Sequence, residues 1–282
     1  MTVTIRKRYV DGPYGQLHVR EAGEGTGRNQ PVLLLHQNPS SSFEYEPLIR
    51  ELATDRRVVA FDTPGYGNSD GPPAPLSMEG YATAMAQSLA AVGLGRDNPF
   101  DVYGFHTGSL LAIEMALARP DAVRQIALTG IPMRSAAERA ELLAKAKQPL
   151  VLDEQGTVAI NQARQLWDYV VAQRTPGIPL AHQAALWVDK FRAFDKSSWA
   201  YVGVWGYDYE RLKRVTQPAL LIQPDEAIND VSLAASRLIP NSTVTELTQF
   251  KRDVLDIPAA VSAIAAAMRD FFGAPFDTER KA

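Results

Sequence analysis

Short apolar stretches alternating with segments of helical spacing run through the first half of the chain and leave it few folds to adopt. Pro31-Val32-Leu33-Leu34-Leu35 and Arg57-Val58-Val59-Ala60-Phe61 are apolar almost throughout, as expected of parallel strands covered on both faces, and Phe100 to Tyr103 and Val123 to Thr129 follow as further strands. Between them, Phe43 to Ala53, Met78 to Val92 and Gly108 to Ala118 carry helical patterns. Strand and helix in strict alternation predict a doubly wound α/β sheet. Ahead of it, Val3 to Val10 and Gln16 to Arg20 flank the turn residues Asp11 to Gly15 and read as a β-hairpin. After Ile131-Pro132 the pattern becomes helical without convincing strands, an inserted lid over residues 132–213. The sheet resumes at Pro218 to Gln223 and Ser242 to Leu247, and a helix enters through Pro258 and runs to Phe272, followed by a loose tail. The expectation is a core of residues 1–131 and 214–282, with eight mostly parallel strands, and a helical cap between its halves.

Composition narrows the chemistry. The chain has no cysteine, which removes structural disulfides, thiolate zinc sites, iron–sulfur ligation and a cysteine nucleophile. Its 29 Lys+Arg and 32 Asp+Glu are interspersed and offer no basic stripe, so nucleic acid is not an expected partner. No apolar run approaches the ~20 residues of a spanning helix, and the opening residues lack the apolar core of a signal peptide. A cytoplasmic protein without a membrane partner is expected, with nothing to indicate an oligomeric state. No dinucleotide fingerprint or phosphate-cradling loop follows a strand, so no cofactor is expected. A metal held by His36, His106 and His182 would need three separate segments to converge, without the short spacing of metal motifs, and none is expected.

One turn concentrates the functional signal. Asp101-Val102-Tyr103 runs into Gly104-Phe105-His106-Thr107-Gly108 and then into an apolar helix. Glycines two residues either side of the centre let the flanking backbones pass closely and push the central side chain, His106, out above the strand ends. The helix amino terminus lies beneath it. Ser109, three residues further on, reads as a structural residue of the helix start.

With this turn the chain resembles the α/β-hydrolase family over nearly its whole length. His36-Gln37-Asn38-Pro39 is similar to the family's oxyanion loop, and His36 to Ser42 is similar to the corresponding loop of haloalkane dehalogenases; Asp62-Thr63-Pro64-Gly65-Tyr66-Gly67-Asn68-Ser69-Asp70 resembles the D-x-x-G-x-G-x-S-D loop. The resemblance implies oxyanion donors at the backbone N–H of Asn38 and Thr107, with Gln37 standing where a glycine is usual. It also implies a nucleophile at the elbow, yet His106 is there. A histidine is implied after the last strand, where the register gives Lys251, or Arg252 one residue on. The implied acid after the seventh strand falls on Ala227, with Asp225 or Glu226 as substitutes. A Ser-Asp-His triad in family order does not exist in this chain.

An elbow imidazole can act as a general base or as a nucleophile. If Lys251 stands within ~6 Å, as the resemblance implies, its charge disfavours imidazolium and keeps one nitrogen free. The leading reading is an enzyme with His106 as base or nucleophile and Lys251, Glu226 or Asp225 beside it, catalysing hydrolysis or a lyase, decarboxylase or isomerase step. The alternative is a non-catalytic binding protein on the same scaffold. Trp167, Trp187, Trp199 and Trp205 all lie in the cap segment and either form its core or line a pocket for a small apolar or aromatic substrate. His36 either anchors its loop or reaches the substrate. Asp62 and its glycine turn read as structural, and His182 as a solvated helix residue.

Overall fold

The computed structural model describes residues 3–24 and 29–273. The tail expected beyond Phe272 lies, apart from Gly273, outside them. Strands β1 (Arg6–Gly12) and β2 (Gly15–Ala22) form the expected hairpin, and β3 (Val32–Leu35), β4 (Val58–Phe61), β5 (Phe100–Phe105), β6 (Val123–Thr129), β7 (Ala219–Pro224) and β8 (Ser242–Leu247) complete an eight-stranded sheet. Its order is β1-β2-β4-β3-β5-β6-β7-β8, antiparallel at β1, β2 and β4 and parallel from β4 onward.

Side-chain alternation divides each central strand between two cores. Leu33, Leu35, Val59, Phe61, Val102, Ile126 and Leu221 face one cluster; Val32, Leu34, Val58, Ala60, Tyr103, Ala127 and Ile222 face the other. The first is covered by α2 (Met78–Ala86) and α3 (Thr107–Ala118), and the second by α1 (Glu46–Leu52) and α9 (Pro258–Gly273). Two expected helices are shorter than their patterns. A single 3-10 turn, Ser42–Tyr45, precedes α1, whose start is set by Pro47, which has no N–H to donate and fits only the first helical turn. The pattern through Val92 is interrupted after Ala86: the Ser88 hydroxyl donates to the Asp11 carbonyl in the hairpin, and a separate 3-10 turn, Ala90–Val92, ends at Gly93 with φ 67°.

Between β6 and β7 the chain forms α4 (Ala136–Ala146), α5 (Thr157–Trp167), α6 (Leu180–Phe191) and α7 (Trp199–Trp205), and a short turn Tyr209–Arg214 leads back to β7; α8 (Asn229–Ser236) lies between β7 and β8. Trp187 stacks on Phe191, and Phe191 on Phe194, while Trp187 Nε1 donates to the Ala163 carbonyl, so aromatic side chains tie the helical segment together. The segment is joined to α3 by Glu114, which is buried and accepts from the Tyr207 hydroxyl at 2.6 Å and from Arg211 at 2.7 and 2.6 Å.

Candidate active site

The elbow forms as its glycines require. A Cβ on Gly104 would lie 2.1 Å from the Gly108 carbonyl oxygen, and one on Gly108 would lie 1.8 Å from that of Leu35, so larger residues cannot occupy either position. Between them His106 adopts φ 51°, ψ −110°, a conformation that L-residues rarely hold without support. Its N–H donates to the Thr129 carbonyl at 2.7 Å, and its ring stacks on Phe105 with centroids 4.3 Å apart. Ser109 is fully buried and donates to the carbonyls of Gly104 and Thr129, which makes it a brace of the turn.

The His106 ring is 30% exposed, and its Nε2 lies 2.6 Å from Glu226 Oε2. Glu226 follows β7, and room for the pair exists because residue 130, at the end of β6, is a glycine: a Cβ there would stand 2.3 Å from His106 Cδ2 and 2.8 Å from Glu226 Oε1. Donation from Nε2–H to the carboxylate sets the tautomer and leaves the Nδ1 lone pair available. Among the described residues Nδ1 has no hydrogen-bond partner.

The loop after β3 reaches the elbow through α3, whose Gly108 sits against the Leu35 and His36 carbonyls. His36 is buried and both ring nitrogens are engaged. Nε2 accepts from the Thr63 N–H at 2.9 Å, so the proton is on Nδ1, which donates to the Gln37 carbonyl at 2.6 Å. Fixing that carbonyl fixes the opposite edge of the same trans peptide, the Asn38 N–H. Among the described residues neither the Asn38 nor the Thr107 N–H has a protein acceptor. The Asn38 side chain donates to the Ser197 carbonyl, and its own carbonyl accepts from the Tyr201 hydroxyl, both in the helical segment.

Several expected site residues stand elsewhere. Lys251 is 76% exposed and pairs with Asp225 at 3.6 Å, so the group beside His106 is the Glu226 carboxylate and not an ammonium. The cause is the course of the β8–α9 loop, which turns at Asp253 (φ 54°) and is tied to the helical segment by Thr175 donating to Asp253, Arg252 to the Tyr169 carbonyl, and His182 and Gln183 to Asp256. His182 is therefore paired rather than merely solvated; the Asp256 carboxylate draws its pKa above the usual imidazole value. Gln37 offers no oxyanion donor, because its N–H and its side chain both donate to Glu44. His36, enclosed and doubly bonded, orients the loop and has no free atom for a substrate. The tryptophans have partners of their own: Trp167 and Trp187 pack edge to face, Trp205 stacks on Tyr201 against the main core, and Trp199 lies over Lys196. Trp199 also lines a cavity of about 320 Å³ with Pro75, Lys147, Leu150 and Val202, which no elbow residue borders. No group of three His, Asp or Glu suited to a metal occurs among the described residues.

Sequence reasoning missed Glu44, Lys190 and Gly130. A glutamine in place of the loop glycine was the available signal for Glu44, since its amide needs a partner. Lys190 and Gly130 left none.

Comparison with known proteins agrees with this architecture. Residues 30–155 match the family described as alpha/beta hydrolase fold. The (E)-2-((N-methylformamido)methylene)succinate hydrolase of Acinetobacter baylyi is 24% identical over 198 residues, 67% of this chain and 70% of the relative. Haloalkane dehalogenase 2 of Mycobacterium tuberculosis is 32% identical over 125 residues, 44% of this chain and only 41% of the relative. Among solved structures, epoxide hydrolase A from Mycobacterium thermoresistibile superposes with TM-score 0.76 at 19% identity, covering 95% of this chain and 98% of that one. The enol-lactonase from Burkholderia xenovorans LB400 gives 0.72 at 18%, covering 94% and 99%. The chain has the α/β-hydrolase fold, and its distant relatives are hydrolases.

Proposed function

We propose that this α/β-hydrolase-fold chain is a hydrolase of small-molecule substrates in which His106, partnered by Glu226, replaces the usual elbow nucleophile. The observation that carries the reading is the 2.6 Å contact between His106 Nε2 and Glu226 on a strained elbow, with Nδ1 left unpartnered. In one course Nδ1 takes a proton from a water molecule as that water attacks the substrate carbonyl, and Glu226 balances the imidazolium that forms. In the other, Nδ1 attacks the carbonyl itself, the Nε2 proton passes to Glu226 as the leaving group departs, and water then cleaves the acyl-imidazole. Either course develops an oxyanion, for which the Asn38 and Thr107 N–H groups are the donors. In this reading the helical segment acts as the lid, which its hydrogen bonds to Asn38 from Ser197 and Tyr201 support.

Hydrolysis of p-nitrophenyl butyrate by the wild type, His106→Ala and Glu226→Gln tests the reading. His106→Ala should lower turnover by about 10²- to 10⁴-fold, and Glu226→Gln by a smaller factor, with the fold retained. Turnover of His106→Ala within a few-fold of wild type removes the imidazole from the mechanism. Aromatic compounds that raise thermal stability yet are recovered unchanged after long incubation would instead favour a binding protein.

A further inference from the structure

Glu44 is a carboxylate buried beneath the loop after β3, 3% exposed, and four hydrogen bonds converge on it. Oε1 accepts from the Gln37 N–H at 3.0 Å; Oε2 accepts from Gln37 Nε2 at 2.9 Å, Ser40 Oγ at 2.6 Å and Lys190 Nζ at 3.2 Å. Lys190 comes from the last turn of α6 and also donates to Ser40 Oγ and to the Pro39 carbonyl. Its neighbour Asp189 accepts from Ser41 Oγ at 2.9 and 2.8 Å. The end of α6 thus grips residues 39–44, while Glu44 holds residue 37.

Burying a carboxylate is unfavourable unless an opposite charge and full hydrogen bonding accompany it. Both are present: burial alone would raise the Glu44 pKa, but Lys190 and the surrounding donors hold it below the ordinary carboxylate range. The consequence reaches the site through residue 37 and the two peptides that flank it. Glu44 holds the Gln37 N–H, in the 36–37 peptide, and the Gln37 side chain, while His36 holds the Gln37 carbonyl, in the 37–38 peptide that also carries the Asn38 N–H; with the peptide planes on both sides of residue 37 held, the direction of the Asn38 N–H is determined. We propose that Glu44 is the positioning residue of the oxyanion loop and that Lys190 is the counter-charge supplied by α6, so that the Asn38 N–H is aimed only while the helical segment is seated. This rests on the role given above to Asn38, and it makes docking of the lid a condition for assembling the site.

The test uses the full chain and four variants: Lys190→Met, Lys190→Arg, the double variant Glu44→Gln with Lys190→Met, and His106→Ala. The double variant removes both charges and so retains the fold if Lys190→Met alone does not. Amide exchange followed by NMR should speed up by about 10-fold or more at Gln37, whose N–H is bonded to Glu44, in Lys190→Met and in the double variant. With p-nitrophenyl butyrate their kcat should fall by about 10- to 100-fold with KM within about 3-fold, and Lys190→Arg should restore most of it. Unchanged exchange at Gln37 overturns the clamp whether or not the ester is turned over. So does unchanged kcat in the double variant when His106→Ala abolishes turnover. If His106→Ala stays active while exchange at Gln37 rises as expected, the catalytic reading fails and the clamp stands.

Discussion

Gly130 is where a single methyl group would matter most. It sits at φ 71°, and its missing Cβ would overlap His106 and crowd Glu226, so the dyad exists only because this position is bare. Gly130→Ala should therefore cost about 1–3 kcal/mol of stability from backbone strain, seen in thermal unfolding. If His106 reacts as proposed, the substitution should lower ester turnover by about 100-fold, since displacing a reacting group by an ångström has effects of that order. Wild-type turnover from a folded Gly130→Ala protein would mean that the His106–Glu226 contact is not used. The dyad also shows how far single residues are legible in a sequence. His106 stands out because glycines bracket it symmetrically, whereas the choice between Asp225 and Glu226 does not: adjacent side chains point to different sides of the turn after β7, and the backbone course alone sends Asp225 to Lys251 and Glu226 to His106.

At the scale of elements, the loops above the sheet are joined by Asp62 at the end of β4. Its carboxylate accepts from the His18 ring on β2, from the Ser42 N–H and hydroxyl before α1, and from the Asn68 N–H in its own loop. Burial alone would push its pKa up, but the hydrogen bond and charge of His18, together with the Ser42 hydrogen bond, hold it down to about 2. A folded pKa below the ordinary 3.8 means stability that is fully present above 3.8 and is lost as pH falls toward about 2. The pH-dependent part amounts to about 2 kcal/mol. Urea midpoints of the wild type and Asp62→Asn should differ most above 3.8 and converge as the pH approaches 2. A gap that stays constant with pH would refute the assignment. The Asp62 loop stands out by its resemblance to the D-x-x-G-x-G-x-S-D loop, and its structural reading agrees with these bonds; the elements it joins are separated by up to 44 positions and could not be read locally.

For the whole molecule, the question is how the helical segment stays on the core. Arg211 and Tyr207 converge on Glu114 of α3, and truncating the arginine as Arg211→Met would leave a buried carboxylate without its counter-charge, at a cost of about 3–5 kcal/mol in chemical denaturation. Adding Glu114→Gln should recover much of that loss; no recovery would show that packing of the Arg211 stem, not charge, was the larger part. The strands, most of the helices and the elbow followed from the sequence by itself, because apolar periodicity and glycine placement act through neighbouring residues and their local sterics. What surrounds His106 was decided by the tertiary structure. Lys251 was assigned to the site by register, yet the β8–α9 loop bends toward the helical segment and carries it to the surface, while Lys190 reaches Glu44 across 146 residues. Such pairings depend on where distant segments meet in space, and a contact of that range leaves no period in the chain from which it could be read.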